Sequence, residues 1–161
     1  MTFDDIFPAN RLPELTIFTF CDSSALNSGS LTENPFYHPH LDINRISCVV
    51  GGQTITRKLD FSSKKYIDSY LDFLQAVGEN KVPHDLINYQ TYSQGYCYFV
   101  VNFSPEREEN LLPEQLTGSC SITIDFAKPL EQNTSLFFYS KIAQQISISN
   151  DRSVKITPEL I

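Results

Sequence analysis

The segment Ser119–Phe126, SCSITIDF, decides the fold class. Cys120, Ile122, Ile124 and Phe126 fall on every second position, with Ser119, Ser121, Thr123 and Asp125 between them. Successive side chains of a strand point to opposite faces, so this alternation predicts a strand with one face in a core and one in water. Working upstream, Tyr96–Phe103 (YCYFVVNF) is aromatic and β-branched throughout, and its alternation places Cys97, Phe99, Val101 and Phe103 on one face. Downstream, Thr134–Ile142 and Gln145–Ile148 complete the set, with Leu136, Phe138, Ile142, Ile146 and Ile148 as the inward residues. Near the start, Glu14–Cys21 (ELTIFTFC) alternates through Leu15 and Ile17 as a half-buried strand, and Asp22-Ser23-Ser24 and Asn27–Ser30 supply turn chemistry after it. Ile43–Val50 and Gln53–Lys58 flank Gly51-Gly52, a two-residue hairpin signal.

One segment changes period. Tyr66, Tyr70, Phe73, Leu74 and Val77 share one face of an α-helix, with Ser63 placed to cap its start and Gly78 to end it. About seven strands with turns between them, plus this helix, predict an all-β chain. The expected fold is an antiparallel β-sandwich or jelly roll with one helical insertion at about residues 63–77. Periodicity does not choose between the two topologies. Residues 1–161 are expected to form a single jelly-roll domain, with 1–13 as a lead-in and 155–161 as a C-terminal tail.

Composition narrows the function. A chain of 161 residues with 41% hydrophobic and 19% charged residues fits one globular domain with its own core. No run approaches the ~18 apolar residues of a membrane span. Met1–Asp5 lacks the basic and apolar regions of a secretion signal, so the chain is expected to be intracellular. Twelve Lys and Arg face 19 Asp and Glu, a net charge of −7, which disfavours binding to a phosphate backbone. Cys21, Cys48, Cys97 and Cys120 form no C-x-x-C pair and lie in apolar strand-like runs, so they are expected to be buried free thiols.

The residues with chemical potential are few. His38-Pro39-His40 with Asp42 is the nearest thing to a ligand cluster, since on a strand the three would share a face. Pro39 argues for a loop instead, and no other His or Cys stands nearby in sequence. His84 lies in a Lys-Val-Pro-His-Asp loop without a nucleophile elbow, and six glycines provide no phosphate cradle. The Asn102-Phe103-Ser104 and Asn133-Thr134-Ser135 sequons are expected to be chance matches, and Glu106–Glu114 an exposed loop docked by Leu111 and Leu112. No catalytic, cofactor-binding or metal residue is therefore expected. The chain reads as neither an enzyme nor a holder of a cofactor or small-molecule substrate.

Ile6-Phe7, Leu12-Pro13, Ala25–Ser30, Asn34-Pro35-Phe36, Val50–Gln53, the helix with Tyr66 and Tyr70, Gly95-Tyr96, Phe103-Ser104-Pro105, Gly118-Ser119 leading to Phe126, and Asp151-Arg152 with Val154 follow in that order. This series resembles the major capsid proteins of Polinton/Maverick elements and related adintoviruses, over roughly residues 6 to 154. The sequence departs from that pattern at Asn150-Asp151-Arg152, where an acidic residue is expected after the second isoleucine of Ile146–Ser149. The resemblance implies two jelly rolls per chain, trimeric capsomers and an icosahedral shell around double-stranded DNA. This chain would supply the C-terminal roll, in the virion, and would associate through a second roll and neighbouring capsomers. The acidic balance suits a shell wall. The alternative is a soluble jelly-roll module that binds a carbohydrate or protein through exposed aromatics. The chain has no Trp, which leaves Tyr37, Tyr89, Tyr92 and Tyr96 as the candidates. A cupin-type metalloenzyme would need convergent strand histidines, which the sequence does not supply.

Overall fold

The structure, a computed structural model, describes residues 1–7, 11–27, 32–50, 52–78, 87–103, 116–130, 133–142 and 145–157. SCSITIDF forms a strand, β8 (Cys120–Phe126), in which Cys120, Ile122 and Ile124 are buried and the residues between them half-exposed. On one side it pairs antiparallel with β4 (Ile43–Val50), placing Cys48 opposite Ile122 and Ile46 opposite Ile124. On the other side lies β1 (Thr2–Asp4), with Phe3 opposite Ile122. β4 turns into β5 (Gln53–Lys58) with Val50 opposite Gln53, so the loop is the two residues read from Gly51-Gly52. Gly52 takes φ +83°, the left-handed geometry that such loops demand of glycine. The sheet order is β1-β8-β4-β5.

A second antiparallel sheet has β3 (Leu15–Asp22) at its centre, between β6 (Phe99–Asn102) and β9 (Thr134–Lys141). Its inner face meets the first sheet through aromatic contacts. Phe20 packs edge-on to Phe126 with centroids 5.8 Å apart, and Phe3 to Phe138 at 6.3 Å. Phe18 stacks on Phe99 at 5.4 Å within the same layer. The chain is thus mostly β, in antiparallel sheets compatible with a β-sandwich. β2 (Arg11–Leu12) pairs with β7 (Leu116–Thr117), and β10 (Gln145–Ile148) with β11 (Val154–Thr157). No helix among the described residues is long and apolar enough to cross a membrane.

Four readings of the sequence are corrected. In β3 the buried residues are Thr16, Phe18 and Phe20 together with Thr19 and Cys21, while Leu15 and Ile17 are half-buried. Thr19 and Cys21 are buried on the side opposite Phe18 and Phe20, Thr19 donating to the Cys97 carbonyl, while α2 (Ile67–Val77) packs on β6 of the same sheet, so alternation is a poor guide there. Helix α2 begins at Ile67, and Ser63 does not cap it. Phe61–Ser63 is a separate 3₁₀ turn capped by the Asp60 carboxylate, and Lys64 is left-handed at φ +60°. Gly78 does end the helix, donating its N–H to the Gln75 carbonyl. There are also two further helices among the described residues, α1 (Ser23–Asn27) and α3 (Tyr89–Gly95). α3 takes Tyr89–Gly95, so β6 starts only at Phe99; the Asn88 side chain caps the helix by accepting the Thr91 N–H.

Finally, Ile146 and Ile148 do not point inward; they are 62% and 73% exposed on β10, whose only strand partner among the described residues is β11. β11 falls across the start of the expected tail, and β1 and β2 within the expected lead-in. His84, Ser104, the Glu106–Glu114 stretch and residues 28–30 lie outside the described residues.

Candidate functional site

The histidine pair is built into the connection between β3 and β4. His38 bridges to Tyr96 in parallel fashion, donating its N–H to the Gly95 carbonyl (2.7 Å) and accepting from the Cys97 N–H (3.0 Å). Its ring is buried against Tyr98, with Nδ1 3.1 Å from the Phe20 carbonyl. A carbonyl oxygen only accepts, so Nδ1 carries the proton. His40 lies flat on Phe61, centroids 5.6 Å apart and planes 10° apart, with Tyr66 alongside. Its Nδ1 accepts the Asp42 backbone N–H at 3.0 Å, and its Nε2 lies 3.4 Å from the Tyr66 hydroxyl. Asp42 also reaches Lys128 at 3.3 Å. Burial holds His40 below the ordinary histidine value, with the Asp42 charge opposing. Each ring nitrogen with a short contact serves the local chain, and the two imidazoles face different surroundings. Among the described residues no group of three or more His, Cys, Asp or Glu is placed to hold a metal.

The four cysteines are buried free thiols. Cys48 and Cys120 lie across the β4–β8 pair with sulfurs 3.4 Å apart. Their shared hydrogen bond lowers Cys120 and, with burial, raises Cys48. Burial pushes the Cys97 thiol up to about 12, where it is no nucleophile at neutral pH.

The second feature is apolar. On the outer face of the β6-β3-β9 sheet, Ile17 and Thr19 of β3, Phe73 of α2, Tyr98, and Phe137 and Tyr139 of β9 surround an open groove of about 410 Å³. Phe73 and Tyr98 stack at 5.2 Å to form its floor. The Thr19 hydroxyl already donates to the Cys97 carbonyl at 2.8 Å, so that polar wall group is engaged. Phe137, Phe138 and Tyr139 are all exposed, and Tyr139 is 72% so. β9 is an edge strand, with β3 on one side and no strand on the other among the described residues.

Sequence reading took Leu136 and Phe138 as inward and passed over their neighbours. The missed signal was the consecutive Phe137-Phe138-Tyr139, since three successive aromatics on a strand cannot share one face. Of the tyrosines considered as a binding platform, Tyr92 is core, its hydroxyl 2.6 Å from the Ser69 hydroxyl and donating to the Tyr98 carbonyl. Tyr37, Tyr89 and Tyr96 are exposed. The Tyr37 ring covers Gly95, where an added Cβ would meet it at 2.2 Å. No known family, curated protein or solved structure matches this chain.

Proposed function

We propose that this chain is a non-enzymatic structural domain, a single jelly roll of the kind that forms the C-terminal half of Polinton/Maverick-like major capsid proteins. It works in the virion by lateral contact, within trimeric capsomers of an icosahedral shell. The observation that carries this reading is β9, an eight-residue edge strand with Phe137, Phe138 and Tyr139 exposed along it. Such an edge invites pairing or packing with another chain, and a protein that kept it bare would blunt it with charge or proline. Strand pairing supports the jelly-roll topology. β3 pairs with β9 in one sheet and β4 with β8 in the other, the nested order produced by wrapping one long antiparallel hairpin around a barrel. β1 beside β8 and β6 beside β3 cross that nesting and depart from the scheme.

The experiment is sedimentation and electron microscopy of the polypeptide that carries this roll together with its second roll. Trimers that close into shells are expected, and a strictly monomeric species at high concentration overturns the reading. A second reading, a soluble binding module, draws on the groove of about 410 Å³, which is in the small-ligand range of roughly 300–1,000 Å³. Such pockets fix their ligand with a few convergent polar groups, and here the Thr19 hydroxyl is committed to the chain itself. Glycan-array binding at micromolar affinity would favour that reading.

A further inference from the structure

Cys48 and Cys120 are a pair of nucleophilic groups that the shell reading leaves unused. They are not directly opposite one another. Cys48 faces Ile122 and Cys120 faces Val50, so the two thiols lie on a diagonal of the β4–β8 pair, 72 residues apart in sequence. Both are buried, and their sulfurs are 3.4 Å apart in a shared hydrogen bond. The other two thiols are placed differently. Cys97 donates to the Tyr92 carbonyl at 3.0 Å, and Cys21 lies on β3 in the other sheet.

We infer that Cys48 and Cys120 form a reversible redox switch, which closes to a disulfide when hydrogen peroxide reaches the pair and reopens when a dithiol is supplied. In the first step the Cys120 sulfur attacks peroxide. An S–O bond forms, the O–O bond breaks, and the departing hydroxide takes up the thiol proton as water, leaving a sulfenic acid. Cys48 then attacks that sulfur. The S–S bond forms, the S–O bond breaks, and hydroxide leaves with the Cys48 proton as a second water. Two thiols and one peroxide thus give one disulfide and two waters. Cys120 reacts first because the hydrogen bond from Cys48 favours its thiolate, and that same bond is the largest cause raising Cys48. Oxidation of Cys120 removes the thiolate that holds Cys48 protonated.

Placement in the strands decides access and strain. Cys120 is the first residue of β8 and faces the last residue of β4, where the chain turns into β5. Strand ends open locally at a free energy below that of global unfolding, and peroxide is little larger than the water that enters there. Diagonal neighbours of a sheet have Cα atoms about 7–8 Å apart. A relaxed disulfide wants about 5.5–6 Å, so closing the bond draws the two strand ends together. A bond made under strain is the more readily reduced, which makes this pair a switch and not a permanent staple.

The test treats the folded protein with hydrogen peroxide, removes the excess with catalase, and alkylates the thiols after denaturation. Four free thiols are expected before treatment and two after it, with the loss of two hydrogens by mass and a bridged peptide joining Cys48 to Cys120. Dithiothreitol added to the folded, oxidised protein should restore all four. Amides at the shared end of β4 and β8 should exchange faster in the oxidised form. Cys97→Ala should still form the bridge, and Cys120→Ala should keep its three remaining thiols through the same treatment. The bridged peptide of the wild type carries the test by itself if Cys120→Ala does not fold. Four thiols surviving the peroxide, a bridge that uses Cys21 or Cys97, or a loss that dithiothreitol cannot reverse overturns the proposal. Unchanged amide exchange would make the bond a staple and overturn the switch.

Discussion

Ile124 has no exposed surface and stands opposite Ile46 in the β4–β8 pair. A carboxylate there would be buried without a partner, so Ile124→Asp is expected to lose several kcal/mol of stability, read from the thermal melt. A melt within a degree or so of wild type would mean that β8 presents its other face to the core. Arg152 is informative in the opposite direction. It closes the turn of the β10–β11 ribbon with φ +66°, donating its N–H to the Ser149 carbonyl, while the Asp151 carboxylate accepts from the Ser153 N–H and hydroxyl. A left-handed residue with a Cβ costs about 1–2 kcal/mol, and glycine is the usual occupant of this hairpin position. Arg152→Gly should therefore slow hydrogen exchange of the β10–β11 amides, with a gain of up to about 1 kcal/mol confined to the ribbon. Thiol counting on denatured protein prepared without reductant should find all four cysteines free, including the close pair Cys48 and Cys120.

At the scale of elements, the two helix starts make opposite expectations. Asn88 accepts the Thr91 N–H, so Asn88→Ala should cost about 1 kcal/mol; Ser63 caps nothing in α2, so Ser63→Ala should leave the helix unchanged. Urea melts of the two variants decide it. The contrast also explains what the sequence made legible. β8 was legible because one of its faces is wet, and the β4–β5 turn because its backbone needs glycine. The apolar face of α2 was legible too, because Phe73 and its neighbours keep one helical period. β3 was obscured by burial on both faces, where alternation carries little information. α3 was hidden because its residues, YQTYSQG, have no strong helical stripe, and its single buried anchor is Tyr92. The apolar ribbon and the β9 groove could not be separated from core strands, since hydrophobicity records what should be covered and not which molecule covers it.

For the whole molecule, acid should weaken the fold in a definable order. His40 titrates below its ordinary 6.5 because burial disfavours the imidazolium, so the unfolded chain binds that proton first. Its contribution is complete above the ordinary value and is lost as pH falls through the lower folded value. His40→Gln should flatten stability against pH below about 6.5 in urea titrations, and an unchanged slope would exclude His40 as the source. Asp151, held below its ordinary 3.8 by Ser153, acts in the same direction at lower pH, and being fully exposed it contributes little. The nested pairing has one more effect, on time. The hydroxyls of Thr16 and Ser140 meet across 124 residues, and the amino terminus reaches the Ile124 carbonyl across 123. Contacts this distant close slowly, on the scale of milliseconds to seconds for folds dominated by them. On the ribosome, β3 and β4 would emerge long before β9 and β8, leaving little beyond the β4–β5 hairpin to form. The early half of the chain would wait, with its phenylalanines uncovered, for the late half to arrive, which makes synthesis the stage at which a chaperone has most to shield.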